Sequence, residues 1–395
     1  MDRDEEVLQS ANGQDEVKKI GLRDRIAHFT WANFTCTQST GGIAILLSLT
    51  PHQFHGLQTA GVVVFVLNLV IFSLFCVMML LRFTLHPYTF KRSFTKTPEL
   101  FFFGSFWLSN ATFIICMQRF GVPHAGDWII VAIRVLFWIY AAVTLLYTTI
   151  NWIVVAAKSP IDPLRIAPGV FLMIFNAMLT GTIASVIAGS QPPAQRLPIL
   201  VAGIAYQGLG WIVSLMLLPW FLGTILRNGL GYPDHRPGLF MPVGSAGYTV
   251  ISLIGCARYI PRGYGFFARF PIAADVLQIL AVWVSIFLWL FAFWLFALAF
   301  VANAPVILPS WKRGRVPRPR MRFTLLWWGM VFPNVGLTIA TIMIGEELQS
   351  DAISWVATAM TILVVGAWLM DLSLHASALI TGRIMWPGKD EDGLK

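Results

Sequence analysis

The sequence predicts an all-α polytopic membrane protein: ten transmembrane helices built as five helical-hairpin repeats, with an inner ring of odd helices around a central pore and an outer ring of even ones. Apolar segments of about 20 residues or more recur along the chain, each long enough to cross a hydrocarbon core of about 30 Å. They come in pairs whose first member is interrupted by Gly, Pro and hydroxyl residues and whose second is almost uniformly apolar. The first members begin near residues 28, 98, 166, 238 and 323. That is a period of about 70 residues, lengthening to about 85 at the last step, which reads as a repeated hairpin. Of the 395 residues, 57% are hydrophobic and 12% charged, about half the charged share of a soluble domain, so lipid must solvate much of the surface.

The first 27 residues are polar, acidic at first (Asp2, Asp4, Glu5, Glu6) and then basic (Lys18, Lys19, Arg23, Arg25). They lack the charged-then-apolar order of a signal peptide and read as a mostly disordered cytosolic tail. Residues 28–381 form a single ten-helix transmembrane domain, and 382–395 a second cytosolic tail. Within the domain, the first segment carries Gln38, Ser39 and Thr40, the third Ser105, Ser109, Asn110 and Thr112, and the fifth Asn176, Thr180, Thr182 and Ser185. The seventh carries Ser245 and Tyr248, the ninth Asn334, Thr338 and Thr341. Polar groups at membrane depth must meet partners or water, so five such segments point to a shared hydrated axis. Gln38, Ser39, Thr40, Ser105, Ser109, Asn110, Asn176, Thr180, Ser245, Asn334 and Thr338 are the candidates to line it.

Helix breakers fall on the same segments: Gly41-Gly42, Gly104, Pro168-Gly169, Pro242 with Gly244, and Pro333 with Gly329 and Gly336. Proline removes an amide donor and frees a carbonyl one turn back, which predicts kinked inner helices with backbone groups turned to the path. The competing role of the small residues is close helix packing. The second members, 59–82, 130–155, 196–227, 272–303 and 353–381, are apolar all round and belong against lipid or in bundle contacts.

With the N-terminus inside, 22 of the 28 Lys and Arg fall in inner loops and tails. Five (Arg119, Arg196, Arg258, Arg262, Arg269) fall outside and Arg134 lies within a segment. Both termini are therefore expected in the cytoplasm. The net charge of +9 is mostly an inner-face property that suits anionic lipid, and nucleic-acid binding is not inferred from it. No Lys or Arg lies within the inner segments, and Glu99 is the sole acid, at one mouth. A path neutral along its middle holds an anion weakly and releases it quickly. His28, Arg82 and Arg236 are candidates to gather anions at the cytoplasmic mouth; interfacial snorkelling for the first two, and a tight loop around Asp234 for the third, are the competing roles. An intramembrane enzyme would need a nucleophile with a base, or paired acids, at membrane depth. No such set appears, and Cys36, Cys76, Cys116 and Cys256 show no metal-ligand spacing, so no metal or cofactor is expected.

Phe332 precedes Pro333 on a segment that also carries Asn334, Thr338 and Thr341. A ring so placed could swing into or out of a narrow lumen; packing in the core is the competing role.

The ordered set His28-Phe-Thr-Trp31, Ser39-Thr-Gly-Gly42, Gln207-Gly-Leu-Gly210, Asp234-His-Arg-Pro-Gly238, Phe332-Pro-Asn-Val-Gly336 and Pro387-Gly-Lys-Asp-Glu-Asp392 resembles the tellurite-resistance and dicarboxylate transporter family. That family includes plant slow anion channels and fungal malic acid permeases, and the likeness to the fungal branch covers nearly the whole chain. The resemblance implies five repeated hairpins, a gating phenylalanine at Phe332 and, as often in such relatives, a homotrimer. It also implies transport of C4-dicarboxylates such as malate at the plasma membrane. Relatives that export sulfite share the fold, so a small inorganic anion is the alternative cargo.

Overall fold

The computed structural model describes residues 21–307 and 321–389. Most of the N-terminal tail, the basic residues Lys312, Arg313, Arg315, Arg318 and Arg320, and the last six residues lie outside the described residues. Ten helices dominate: α1 (Phe34–Leu49), α2 (Leu57–Leu85), α3 (Glu99–Cys116), α4 (Trp128–Lys158) and α5 (Leu172–Ile187), then α6 (Pro193–Asn228), α7 (Val243–Arg258), α8 (Ala273–Ile307), α9 (Phe332–Glu347) and α10 (Asp351–Ile380). All but α1 lie in helical stretches long and apolar enough to cross a membrane. Helix α1 has 16 residues and follows a 3-10 turn, Trp31–Asn33, with which it is continuous.

Odd helices touch odd helices in order, α1 to α3, α3 to α5, α5 to α7, α7 to α9 and α9 back to α1, which closes a ring. Each even helix packs outside it, in the groove between two odd ones. Burial follows this division. The most apolar stretches of the α5, α7 and α9 spans are 94% buried and that of α3 is 67% buried, whereas those of the even helices are 22–33% buried. Val63, Leu80, Trp283 and Leu363 on the even helices are left exposed, as lipid-facing positions should be.

The prolines act differently from mid-helix kinks. Pro168 opens a 3-10 turn (Pro168–Phe171) ahead of α5, Pro242 precedes the first residue of α7 after the 3-10 stretch Pro233–Phe240, and Pro333 lies in the first turn of α9 after the 3-10 stretch Leu325–Met330. In a first turn the missing amide would have had no helical partner, so proline costs little there. Three inner segments are thus a 3-10 stretch joined to an α-helix, where a single kinked helix was expected.

The glycines serve close packing, one at each contact in the ring. A Cβ on Gly41 would stand 2.1 Å from Thr112 Oγ1, on Gly104 2.4 Å from the Leu172 carbonyl oxygen, and on Gly181 2.7 Å from Ser252 Oγ. On Gly247 it would stand 2.8 Å from the Leu337 nitrogen, and on Gly42 3.3 Å from the Phe332 ring. Hydrophobic burial gives little drive between helices in lipid, so such contacts carry the association through dispersion.

The described end of the tail is partly helical. Leu22–Ile26 is a short helix whose Arg25 donates to the Leu379 carbonyl, tying the start of the chain to the end of α10.

Candidate functional site

Because the five inner helices follow one another through outer partners, their C-terminal ends gather at one end of the ring. A cavity of about 460 Å³ opens there. Its rim is made of Leu49, Gln118, Arg119, Ser190, Arg258 and Glu346, and its depth of Gly42, Thr112, Thr182, Tyr248, Phe332 and Val335. Every charged lining residue is at the rim and the deeper wall is neutral. A small molecule fits such a volume, since ligand sites run from about 300 to 1,000 Å³.

Phe332 is the first residue of α9 and the deepest residue of that helix in the lining. It is 2% exposed. Its ring stacks on Tyr248 with centroids 5.0 Å apart and planes inclined at 29°, and the Tyr248 hydroxyl donates to the Phe332 carbonyl at 3.0 Å. On its other side the ring faces Gly42 of the adjacent helix α1, where a methyl group would crowd it. The missing side chain at Gly42 is what leaves room for the ring between α1 and α7.

The predicted lining residues are spread over three settings. Some bond to their own helix: Ser245 to the Pro242 carbonyl (2.6 Å), Thr338 to that of Asn334 (2.7 Å), and Asn110 to that of Phe106 (2.8 Å). Others hold neighbouring helices together. Ser109 meets Thr37 (2.7 Å), Thr40 accepts from the Trp368 indole of α10 (3.1 Å), Ser39 donates to the Trp328 carbonyl (3.4 Å), and Asn176 Oδ1 accepts from Thr148 of α4 (2.8 Å). A third group has a buried polar atom without a hydrogen-bond partner among the described residues: Gln38 Oε1, Ser105 Oγ, Thr180 Oγ1 and Asn334 Oδ1. The cavity itself is lined instead by Thr112, Thr182 and Ser185 of the same polar segments. Residue type alone does not distinguish these settings; the rotation of each helix does.

The mouth candidates also separate. Arg82 is fully buried, where its guanidinium is paired with Glu99, donates a second bond to Glu99 Oε2 at 3.1 Å and reaches the Ala27 carbonyl at 2.9 Å. It ties the end of α2 to the start of α3. Arg236 bonds to the carbonyls of Gly231 and Ala302, at 3.3–3.4 Å, while Asp234 accepts from the Arg322 amide at 2.7 Å. His28 is buried at 7% exposure. The cavity's own cations, Arg119 and Arg258, entered the sequence analysis only through the charge count; their positions at the ends of inner segments were the available signal.

Residues 28–376 match the family model described as voltage-dependent anion channel. The malic acid transport protein of Schizosaccharomyces pombe is 32% identical over 373 residues, covering 94% of this chain and 83% of the relative. A putative malic acid transport protein of the same organism is 30% identical, covering 95% and 85%. A sulfite efflux pump of Arthroderma otae is 26% identical, covering 93% and 97%. With a family match over most of its length and two relatives at 30% identity or above, the chain belongs to the voltage-dependent anion channel family, a family of helical membrane proteins.

Proposed function

We propose that this protein carries small organic anions, C4-dicarboxylates such as malate, across a membrane through the axis of the inner ring, with Phe332 as the gate. The observation that carries the reading is the cavity that runs from a charged rim to a neutral depth ending at Phe332. An anion gathered at the rim meets hydroxyls and no opposing fixed charge further in, so entry and release are both possible. In this arrangement the ring blocks the axis, and its displacement from between Gly42 and Tyr248 lengthens the cavity toward the N-terminal ends of the inner helices. The malic acid transport relatives support malate as cargo, and the more distant sulfite pump supports an inorganic anion less well.

On this reading α1 with its 3-10 turn is the tenth crossing, residues 28–381 are one transport domain, and Gln38, Ser105, Thr180 and Asn334 line the path once it opens. The basic residues of the inner loops support cytoplasmic termini, and the family resemblance supports a plasma-membrane location, with Arg236 and His28 at the inner mouth. A homotrimer rests on the family resemblance alone. The test is malate flux into proteoliposomes at clamped potential, native against Phe332→Ala. The expected outcome is malate movement by the native protein and a several-fold rise in the variant. Flux of sulfite without malate in both would remove the dicarboxylate, and equal malate flux in both would remove the gate.

A further inference from the structure

Among the described residues, the cavity is lined by one cation that forms no ion pair and one buried hydroxyl without a hydrogen-bond partner. Arg258 is held by Glu346 at 2.8 Å and by Glu347 at 2.5 Å, and Glu346 also acts on Arg119 through its charge. Arg119 lines the same cavity and forms no ion pair with a described residue. It lies in a π-helical turn, Met117–Gly121, that extends α3, an irregularity found often at functional sites. Thr182, on α5, is 4% exposed, lines the cavity, and its Oγ1 has no hydrogen-bond partner among the described residues. Beside Arg119, Gln118 accepts from Ser190 Oγ through Oε1 at 3.1 Å, which leaves its amide N–H groups to donate.

The field at this end makes a cation necessary. Five helix C-termini converge on the rim, each with a partial negative charge, and the two glutamates add more. An anion would be repelled without a compensating charge, and Arg258 is already committed. We propose that Arg119 at the rim and Thr182 deeper in the wall form a binding site for a small organic anion, whose carboxylate the guanidinium takes and whose body extends toward Thr182, on one side of Phe332. This rests on the anion-transport reading above. The planar guanidinium offers parallel N–H groups matched to a carboxylate, and the Thr182 hydroxyl supplies a donor in a wall that is otherwise apolar or self-bonded. A cation without an ion pair of its own, its field partly offset by Glu346, makes a site that fills and empties readily.

The test is equilibrium binding of labelled malate to the full chain in nanodiscs, with thermal unfolding followed in parallel, for the native protein, R119Q, R119K and T182V. The expected result is malate binding by the native protein, weakened tenfold or more in R119Q and a few-fold in T182V. R119K should keep part of the affinity, and the unfolding midpoint should be little changed. Undiminished affinity in R119Q would overturn the site, as would absence of malate binding by the native protein, or a fall in unfolding midpoint with affinity intact, which would assign Arg119 to the helix terminus alone. Malate flux measured on the same preparations separates the two readings. Binding lost in R119Q with no flux in the native protein keeps the site and removes transport; flux with R119Q affinity unchanged does the reverse.

Discussion

Arg82 and Arg119 stand at opposite ends of the inner ring and do opposite things with the same charge. Arg82 is closed off from solvent, with Glu99, Ser93 and the Ala27 carbonyl around its guanidinium. Arg119 lines an open cavity and forms no ion pair among the described residues. At the N-terminal end Arg82 is locked to a buried carboxylate, and at the C-terminal end Arg258 takes the ion pairs with Glu346 and Glu347 while Arg119 is left to the cavity. A compensated buried charge fixes structure, because its electrostatic gain is consumed by desolvation and geometry. A charge at a cavity rim that is not locked in an ion pair keeps part of its field for whatever enters.

The largest expected effect tests the closed end. Arg82→Met leaves Glu99 buried without its cation and should cost about 3–5 kcal/mol, while Arg82→Met with Glu99→Leu should recover most of that loss. Unfolding of the purified protein in detergent measures both. Recovery would show that the pair holds the fold without being needed as a charge; loss of transport in the well-folded double variant would give Arg82 a part in the path and break the contrast with Arg119.

A second comparison sets the ring against its surround. Gly247→Ala pushes a methyl group against the backbone of α9, which cannot swing aside as a side chain can, and overpacking of this kind costs about 1–3 kcal/mol. Gly208→Ala on α6 meets nothing within 4 Å and should stabilise by about 0.5–1 kcal/mol through helix propensity alone. Equal effects at the two positions would mean that the glycines of the ring do not set its spacing.

The smallest effect sharpens the role of Tyr248. Tyr248→Phe keeps the stacked ring and removes the hydrogen bond to the Phe332 carbonyl, a contribution of about 0.5–1.5 kcal/mol. If that bond steadies the closed ring, malate flux should rise roughly two- to tenfold, since about 1.4 kcal/mol is a factor of ten, and should stay below that of Phe332→Ala. Unchanged flux would leave the stacking contact as the part that matters.

The division into polar and apolar segments was legible in the sequence because lipid enforces it: an even helix such as α2 or α8 faces hydrocarbon and cannot carry many polar side chains. The prolines were legible as interruptions but not as helix starts, because sequence does not show whether a 3-10 stretch precedes them. Phe332 stood out through Pro333 and Asn334. Its partners Gly42 and Tyr248 did not, being 290 and 84 residues away in the chain.

By itself the sequence determined that the chain is a bundle of apolar helices in repeated pairs, since segment length and hydrophobicity follow directly from the thickness and chemistry of a bilayer. Only the tertiary structure decided which hydroxyls bond within the bundle and which line the cavity, and which arginine is compensated. Thr40 and Thr182 are the same residue type on the same class of helix, yet one accepts a hydrogen bond from Trp368 and the other lines the cavity with no hydrogen-bond partner for its hydroxyl among the described residues. The physical reason is rotational: a helix turns about 100° per residue, so what each side chain faces depends on how its helix is seated against two neighbours distant in the chain.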